Sequence, residues 1–563
     1  MKRDPGRLAG PELDVLVVGG GIYGACIARD AAQRGLATAL VERGDFGGLT
    51  SHNSFKLIHG GLRYLQQLDI QRLRQSAREQ RIWLAIAPHL VRPLAFAMPT
   101  FGHGSRGPEA LRLALLAYEL LSRGGEPAAP RVPKGRVVGR AEALALLPGL
   151  PRNDLNGAAI WSDVQMLNAD RLLLECVVDA AAHGALVANH VEALGFLGTP
   201  ERVTGARVRD RLSGGELEIR AKLTINAAGP HAGLLLDRLP ARSGRGFGGL
   251  ARGMNIVVRR PLATDHALAV SSRRRSDSLV PRADGRLFFI QPWQGLALIG
   301  TSHLPHAGDS PELTVDEPWL DDFLAEINDA WPPAALTRAD VLYCYAGLTP
   351  AAKEARGSEV ARTRRGVVID HGPTDGIEGV VSLQGVKYTT ARLVAESVVD
   401  LALAKLGRPA VPCRSWREQL PGARGFTAGP ALAAARQRAP EGGPEIERLV
   451  VDHGAGWTAV LDGAGEGPLA GEAVFRARVR HAVRHEMACT LDDVLVRRLD
   501  EVARGRLDRA RLEAASGVMA EELGWTPAEL AAAVLDFETG LARQGAALGH
   551  HQQTTRESAD HGA

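Results

Sequence analysis

Cysteine is scarce in this chain of 563 residues. Cys26, Cys176, Cys344, Cys413 and Cys489 are odd in number, widely separated and never spaced as CxxC. A disulfide framework and a thiolate metal site are both excluded, and a reducing cytoplasm is the expected setting. Long apolar runs are missing too: no stretch approaches the roughly 18 residues of a membrane-crossing helix. Met1 to Leu13 is polar and rich in Gly and Pro, so no signal peptide is expected. Charge of one sign is not in excess. A net charge of +3, with no basic patch interleaved with aromatics, excludes a nucleic-acid footprint. Lysine is nearly absent, at seven of 67 basic residues, an imbalance that points to coding bias in the source rather than to chemistry.

What is present reads as ordinary globular protein, 45% hydrophobic and 23% charged. Its length exceeds what one core supports, so two or three domains are expected. Val15-Leu16-Val17-Val18 is an apolar strand leading into Gly19-Gly20-Gly21-Ile22-Tyr23-Gly24, and Leu36 to Glu42 is a second strand ending in an acid. Strand, glycine turn, helix and acid-terminated strand make a dinucleotide-binding unit. Gly19 allows the tight turn, Gly21 lets backbone reach a pyrophosphate, and Gly24 lets the helix pack on the strand. The helix N-terminus offers unpaired N–H groups and a partial positive charge to the phosphates. Glu42, eighteen residues after Gly24, is placed to accept from ribose hydroxyls and would repel a 2′-phosphate, which argues against NADP. The motif alone leaves NAD and FAD open, since both carry an ADP half.

Further along, 69–91 has the spacing of an amphipathic helix. The leucine-rich run 109–122 is a short helix with two readings, a buried helix or a face resting on a membrane surface or partner. Ala169 to His183 is helical and Leu186 to His190 a strand. Segment 203–225 alternates like an antiparallel ribbon and ends in Leu223-Thr224-Ile225. From 253 to 304 strands repeat, with a hairpin signal at Trp293-Gln294-Gly295, as in a second, antiparallel domain. Gly379 to Leu383 is a strand and Thr389 to Leu406 a helix. Beyond Pro412 come alanine- and arginine-rich helices, including 468–488, 491–503, 508–522 and 527–543. No internal repeat is visible.

Three segments carry more specific information: Thr50-Ser51-His52-Asn53-Ser54-Phe55-Lys56-Leu57-Ile58-His59-Gly60-Gly61-Leu62-Arg63-Tyr64, then Asn226-Ala227-Ala228-Gly229-Pro230-His231-Ala232, then Gly385-Val386-Lys387-Tyr388-Thr389-Thr390-Ala391-Arg392. In this order they closely resemble the FAD-dependent glycerol-3-phosphate dehydrogenases, within the larger group of flavoproteins that includes D-amino-acid oxidases. Residues 484–498 also look like that family's helical cap domain, and the resemblance spans roughly residues 12–540. It implies an α/β, Rossmann-like FAD-binding domain with an antiparallel β-rich substrate domain and a C-terminal all-α domain. The expected boundaries are 11–95, 151–245 and 345–408 for FAD binding, 96–150 and 246–344 for substrate, 410–545 for the helical domain, and a disordered tail over 546–563.

A flavin suits these segments. FAD is long and needs several distant loops. Thr50, Ser51 and Ser54 can bond pyrophosphate and ribityl oxygens, and Lys56 falls in the same run. Ala228-Gly229 lets backbone touch the cofactor. Gly385 before a helix sets N–H groups and a positive dipole near the flavin pyrimidine edge. The reaction implied is hydride transfer from a hydroxyl-bearing C–H to flavin N5. His59 has an ordinary pKa suited to the base, and Arg63 would share its face. The resemblance places both near the substrate, with Tyr64, and makes Lys387 an active-site lysine. Arg364 aligns loosely with a phosphate-binding arginine.

Departures from the family fall on the substrate side. Its Tyr-Ser-Gly-Val-Arg-Pro motif reads Tyr345-Ala346-Gly347-Leu348-Thr349-Pro350 here, so Thr349 replaces an arginine that grips the substrate anion. Met254-Asn255 replaces a Ser-His pair, and Val164-Gln165-Met166-Leu167-Asn168-Ala169-Asp170 departs from the usual acid pair. Arg364, or one of Arg273, Arg274 and Arg275, is a candidate replacement for the clamp. The resemblance implies oxidation of sn-glycerol 3-phosphate to dihydroxyacetone phosphate, with electrons passed to quinone. The protein would work in the cytoplasm, where a site on the inner face of the membrane and a homodimer are both compatible with it. The departures keep open another polyol, hydroxy acid or amine, or oxygen as acceptor. A flavin-binding subunit without turnover is a third reading, disfavoured by His59, Arg63 and Lys387 together.

Overall fold

The computed structural model describes residues 1–545 except 105–106, 123–129, 131, 148, 151–152, 240–246, 263–264, 273–286, 307–312, 352–365 and 466. Arg364, Arg273–Arg275 and the 546–563 tail therefore lie outside the described residues.

Leu13–Val18 is buried at every position, as a strand flanked by parallel neighbours and covered on both faces must be. Its sheet runs Val367–Asp370, Val380–Gln384, Glu216–Asn226, Leu13–Val18, Thr38–Val41, Leu186–Ala188. All neighbours are parallel except the first pair. Val18 stands level with both Asn226 and Val41, which aligns the ends of three strands at one rim. Arg202–Asp210 and Glu216–Asn226 form the expected antiparallel ribbon, and Val191–Thr199 adds a further strand to it. The helix Ile22–Gln33 packs against Ala169–Ala182 and Ala391–Lys405. Asn168 starts the Ala169–Ala182 helix by accepting the Arg171 N–H at 3.1 Å.

The second sheet runs Val341–Pro350, Leu250–Val258, Leu296–Pro305, Leu287–Trp293, His266–Ser271, Val91–Phe101, Leu155–Met166, Leu57–Ile58. It is antiparallel apart from the pairing of His266–Ser271 with Val91–Phe101. Gln294 and Gly295 have φ of 55° and 82°, the type I′ hairpin that joins strands with matched twist.

Three boundaries of the sequence reading are corrected. Leu155–Met166 and most of Val341–Pro350 were expected in the FAD-binding domain. They belong to the second sheet, because Leu155–Met166 pairs with Val91–Phe101 along its whole length and Val341–Pro350 with Leu250–Val258. Leu57–Ile58 and part of Val91–Phe101 cross over in the same way. The helix expected over 491–503 is a seven-residue π-helical turn, Asp492–Arg498. The run at 109–122, favoured by its leucines as buried, forms a helix, Pro108–Leu121, that buries only Leu115 and exposes Leu113, Leu116 and Leu120.

The C-terminal region is helical, from Ala428–Arg438 to Pro527–Gly545, with two apolar clusters of its own. Among the described residues, no helix is long and apolar enough to cross a membrane.

Candidate active site

A cavity of about 1900 Å³ lies between the carboxyl rim of the parallel sheet and one face of the second sheet. That rim is where open α/β sheets bind ligands. Val18, Val41, Ala227 and Leu383 come from the rim, and Met98, Trp161, Asn255, Phe289 and Gly347 from the facing sheet.

The glycines behave as the motif requires. Gly19 has φ +106°, and a Cβ there would sit 2.6 Å from the Ala227 carbonyl oxygen. A Cβ on Gly24 would stand 1.8 Å from the Gly19 carbonyl oxygen, so helix and strand meet backbone to backbone. Gly21 caps the Ile22–Gln33 helix and faces the cavity. Ser51 Oγ accepts the Ile22 N–H at 3.0 Å. Glu42 accepts from the Gly20 and Gly44 N–H groups at 2.7 and 2.9 Å. Burial lifts its carboxyl pKa, and those two amides pull the other way.

Thr50 lines the cavity while donating to the Leu348 carbonyl at 2.7 Å, and Ser54 Oγ is buried with no partner among the described residues. Ala228 and Gly229, the latter at φ +57°, also line it. A Cβ on Gly385 would strike the Tyr23 ring at 2.0 Å. The Tyr23 hydroxyl accepts from the Val386 and Lys387 N–H groups at 3.2 and 3.1 Å and donates to the Lys387 carbonyl at 2.7 Å. Tyr23 thus ties the first glycine motif to the third; sequence reasoning passed over it, because an aromatic between Ile22 and Gly24 looks like helix packing.

Lys56 does not reach the cavity. It is buried at φ +56°, donating to the His52 carbonyl at 2.5 Å, lying 4.2 Å over the Tyr345 ring and 3.7 Å from Asp170. The left-handed backbone at Lys56 turns its side chain to the interior while Phe55 and Leu57 on either side face the cavity.

His59, Arg63, Tyr64 and Lys387 converge at the other end. The His59 and Tyr64 rings meet edge-on at 5.9 Å, and Lys387 Nζ lies 4.1 Å from the Tyr64 ring centroid. Burial, reinforced by Lys387 and Arg63, pushes the His59 pKa down to about 3 rather than leaving it ordinary. Burial and Arg63 bring Lys387 down to about 8. The loop is held from behind. The His59 N–H donates to Thr389 Oγ1 at 3.2 Å and the Gly60 N–H to Asp163 Oδ1 at 2.6 Å. Gln80 Nε2 donates to the same Asp163 oxygen at 3.2 Å. Asp163, which the sequence reading did not single out, also lines the cavity.

Thr349 faces the cavity, its hydroxyl 3.5 Å from the Ala251 carbonyl. Asn255, farther along the neighbouring strand opposite Tyr345, is spoken for: Nδ2 donates to the Asn53 carbonyl at 3.1 Å and Oδ1 accepts from Thr301 at 2.7 Å. Thr349 and Asn255 are neutral where the family carries a cation and a Ser-His pair. His303 also lines the cavity, and Arg43 and His231 meet at 3.2 Å near the Glu42 end.

The residues present fit FAD. The cavity is large enough for a two-headed cofactor, glycines open it where a Cβ would collide, a helix N-terminus faces one end, and the buried Ser54 hydroxyl has no partner among the described residues.

Comparison with known proteins agrees. Residues 14–401 match the FAD dependent oxidoreductase family, and 413–530 match the C-terminal domain of alpha-glycerophosphate oxidase. A glycerol-3-phosphate dehydrogenase of Synechocystis is 34% identical over 86% of this chain and 88% of its own. Glycerol-3-phosphate dehydrogenase 2 of Mycobacterium tuberculosis is 31% identical over 98% and 92%. The glycerol-3-phosphate dehydrogenase of Bacillus halodurans, solved with FAD, is 27% identical, covers 96% of both chains and superposes with a TM-score of 0.74. The cofactor is FAD, and the chain belongs to the FAD-dependent oxidoreductase family, within its glycerol-3-phosphate dehydrogenase branch.

Proposed function

We propose that the protein oxidises sn-glycerol 3-phosphate to dihydroxyacetone phosphate and passes the electrons to a quinone. The observation that carries this reading is the convergence of a buried neutral imidazole, His59, with two cations, Arg63 and Lys387, at the end of the cavity lined by Gly385. FAD, when bound, supplies the hydride acceptor at N5. The chain supplies the rest. Arg63 and Lys387 hold the phosphate and with it orient the C2 hydroxyl toward the His59 ring. His59 takes the hydroxyl proton as the C2 hydride departs, leaving the ketone. A base with a pKa of about 3 is weak, but the two cations contribute to that depression. A phosphate dianion between them cancels their repulsion and raises the basicity of His59 once substrate is bound.

Anaerobic mixing with glycerol 3-phosphate, watched at the flavin band at ~450 nm, tests the reading. Rapid bleaching is expected. A protein that stays oxidised has inherited fold and cofactor without the substrate. The second reading, a polyol, hydroxy acid or amine lacking phosphate, is favoured by the neutral side chains of Thr349 and Asn255.

The pH profile has a definite sign. Lys387 is a cation below about 8 and neutral above it. Phosphate binding is therefore present below that pH and lost as pH rises through it, so kcat/KM falls on the alkaline side. Lys387→Met is expected to lower kcat/KM and erase that alkaline limb; a limb that persists in the variant belongs to another group.

The quinone part rests on the Pro108–Leu121 helix. Leu111, Ala114 and Leu115 line the cavity, while Leu113, Leu116 and Leu120 are 70%, 59% and 62% exposed on the same helix. An apolar acceptor can reach the cavity from a membrane surface on that side. Replacing the three exposed leucines with serine is expected to abolish co-sedimentation with vesicles and quinone-linked turnover while flavin bleaching by substrate stays intact. Undiminished vesicle binding in that variant would exclude the helix as the contact.

A further inference from the structure

We propose that Arg497, on the π-helical turn of the C-terminal domain, is a positioning residue for the cofactor loop, and that this domain acts as the clamp that retains FAD. The inference depends on FAD binding and not on the substrate proposed above.

The loop 45–54 has two faces. Gly47, Gly48, Thr50, Ser51 and Ser54 face the cavity. The opposite face is fastened to residues more than four hundred positions away in sequence. Arg498 grips Asp45 with both ends of its guanidinium, at 2.5 and 2.9 Å. Arg497 donates to the Phe46 carbonyl and stands 2.6 Å from Asp170 Oδ1. Asp170 Oδ2 in turn meets His52 Nδ1 at 3.0 Å, so one carboxylate links the clamp to the loop's far end. Arg497 NH2 also lies 3.0 Å from where a Cβ on Gly47 would be, which sets it against the loop backbone itself. A third tie runs from Asp493 to His190 at 2.9 Å, and the His190 N–H donates to the Gly44 carbonyl at 2.7 Å.

Arg497, Arg498 and Asp493 all belong to the seven residues whose backbone widens from α to π. Single π turns occur often at functional sites, where they re-aim side chains that a regular helix would send elsewhere. The loop has no regular secondary structure to hold it, and its cavity-facing hydroxyls and amides meet the cofactor only if its outer face is fixed. Both arginines are almost wholly buried and their charges are met, so the clamp is rigid rather than a surface ion pair.

The test is FAD affinity of the full-length protein, by titrating apoprotein with FAD and following flavin fluorescence, for Arg497→Gln and Arg171→Gln. Arg171 bridges the same domains at 2.5 Å through Glu486 but does not touch the loop. Arg497→Gln is expected to raise the FAD dissociation constant at least tenfold and to alter the flavin visible spectrum. Arg171→Gln is expected to stay within threefold of the parent, whatever either variant does to the melting temperature of the apoprotein. Should Arg497→Gln give no folded protein, Arg497→Lys replaces it with the same thresholds, since lysine keeps a charge opposite Asp170 but cannot span to the Phe46 carbonyl as well. An Arg497 variant that binds FAD within threefold of the parent, or an Arg171→Gln loss as large as that of Arg497, overturns the proposal.

Discussion

His59→Ala is expected to keep its FAD and to reduce it with substrate about 10²–10⁴ times more slowly, the usual contribution of a positioned general base. The loss should be confined to chemistry. His59 is anchored through its backbone N–H to Thr389 and its neighbour Gly60 through Asp163, and neither bond uses the imidazole. The loop therefore stays where it is when the ring goes, and Arg63 and Lys387 still hold the phosphate. Stopped-flow reduction under anaerobic conditions should show a slow rate that saturates at about the parent's substrate concentration. Added imidazole should restore part of it. A variant that reduces its flavin at the parent rate removes His59 from the mechanism and turns attention to Lys387, whose pKa of about 8 also allows a neutral base.

The second large effect concerns retention of the cofactor. Gly24→Ala places a methyl group 1.8 Å from the Gly19 carbonyl oxygen, and the obstacle is backbone, which cannot rotate aside. Gly19 itself is fixed by Ala227 on one side and its N–H to the Val41 carbonyl at 2.8 Å on the other. Overpacking of this kind costs about 3 kcal/mol or more when nothing can yield, and here it opens the turn that faces the pyrophosphate. Purified Gly24→Ala should carry little flavin and unfold at lower denaturant. Gly385→Ala is the instructive contrast. Its methyl group meets the Tyr23 ring, a side chain, which can swing away at the expense of three hydrogen bonds to residues 386–387. It should lose affinity for FAD but keep its fold. Stoichiometric flavin and an unchanged denaturation midpoint in Gly24→Ala would refute the backbone-contact account.

The cofactor half was the easier half to read. A strand buried on both faces is a run of apolar residues, and a tight turn at positive φ is a glycine, so residues 13–42 announce their structure locally. The convergence of residues 59–64 with 385–389 was legible only through resemblance, since nothing in spacing brings positions three hundred apart together. Sheet membership was not legible at all for Leu155–Met166, whose composition suits either sheet and whose place is decided by pairing with Val91–Phe101. Lys56 was misplaced because a run of functional residues was read as one face, whereas a left-handed residue in its middle turns the lysine inward. The exposure of Leu113, Leu116 and Leu120 was hidden for the opposite reason: leucine at helical spacing looks the same whether its stripe meets protein or not. Thr349 and Asn255 were visible as departures, but only the structure gives Asn255 its partners, Asn53 and Thr301.

The order of strands in the parallel sheet has a consequence for synthesis. Leu13–Val18 pairs with Glu216–Asn226, which in turn needs Val380–Gln384, and the Ala391–Lys405 helix covers the face on which Ile22–Gln33 lies. Loops of that length must close before the pairings return any stabilisation. The nascent chain thus carries Leu13–Val18 without its full sheet until Val380–Gln384 has been made, unable to hold flavin and open to misassociation.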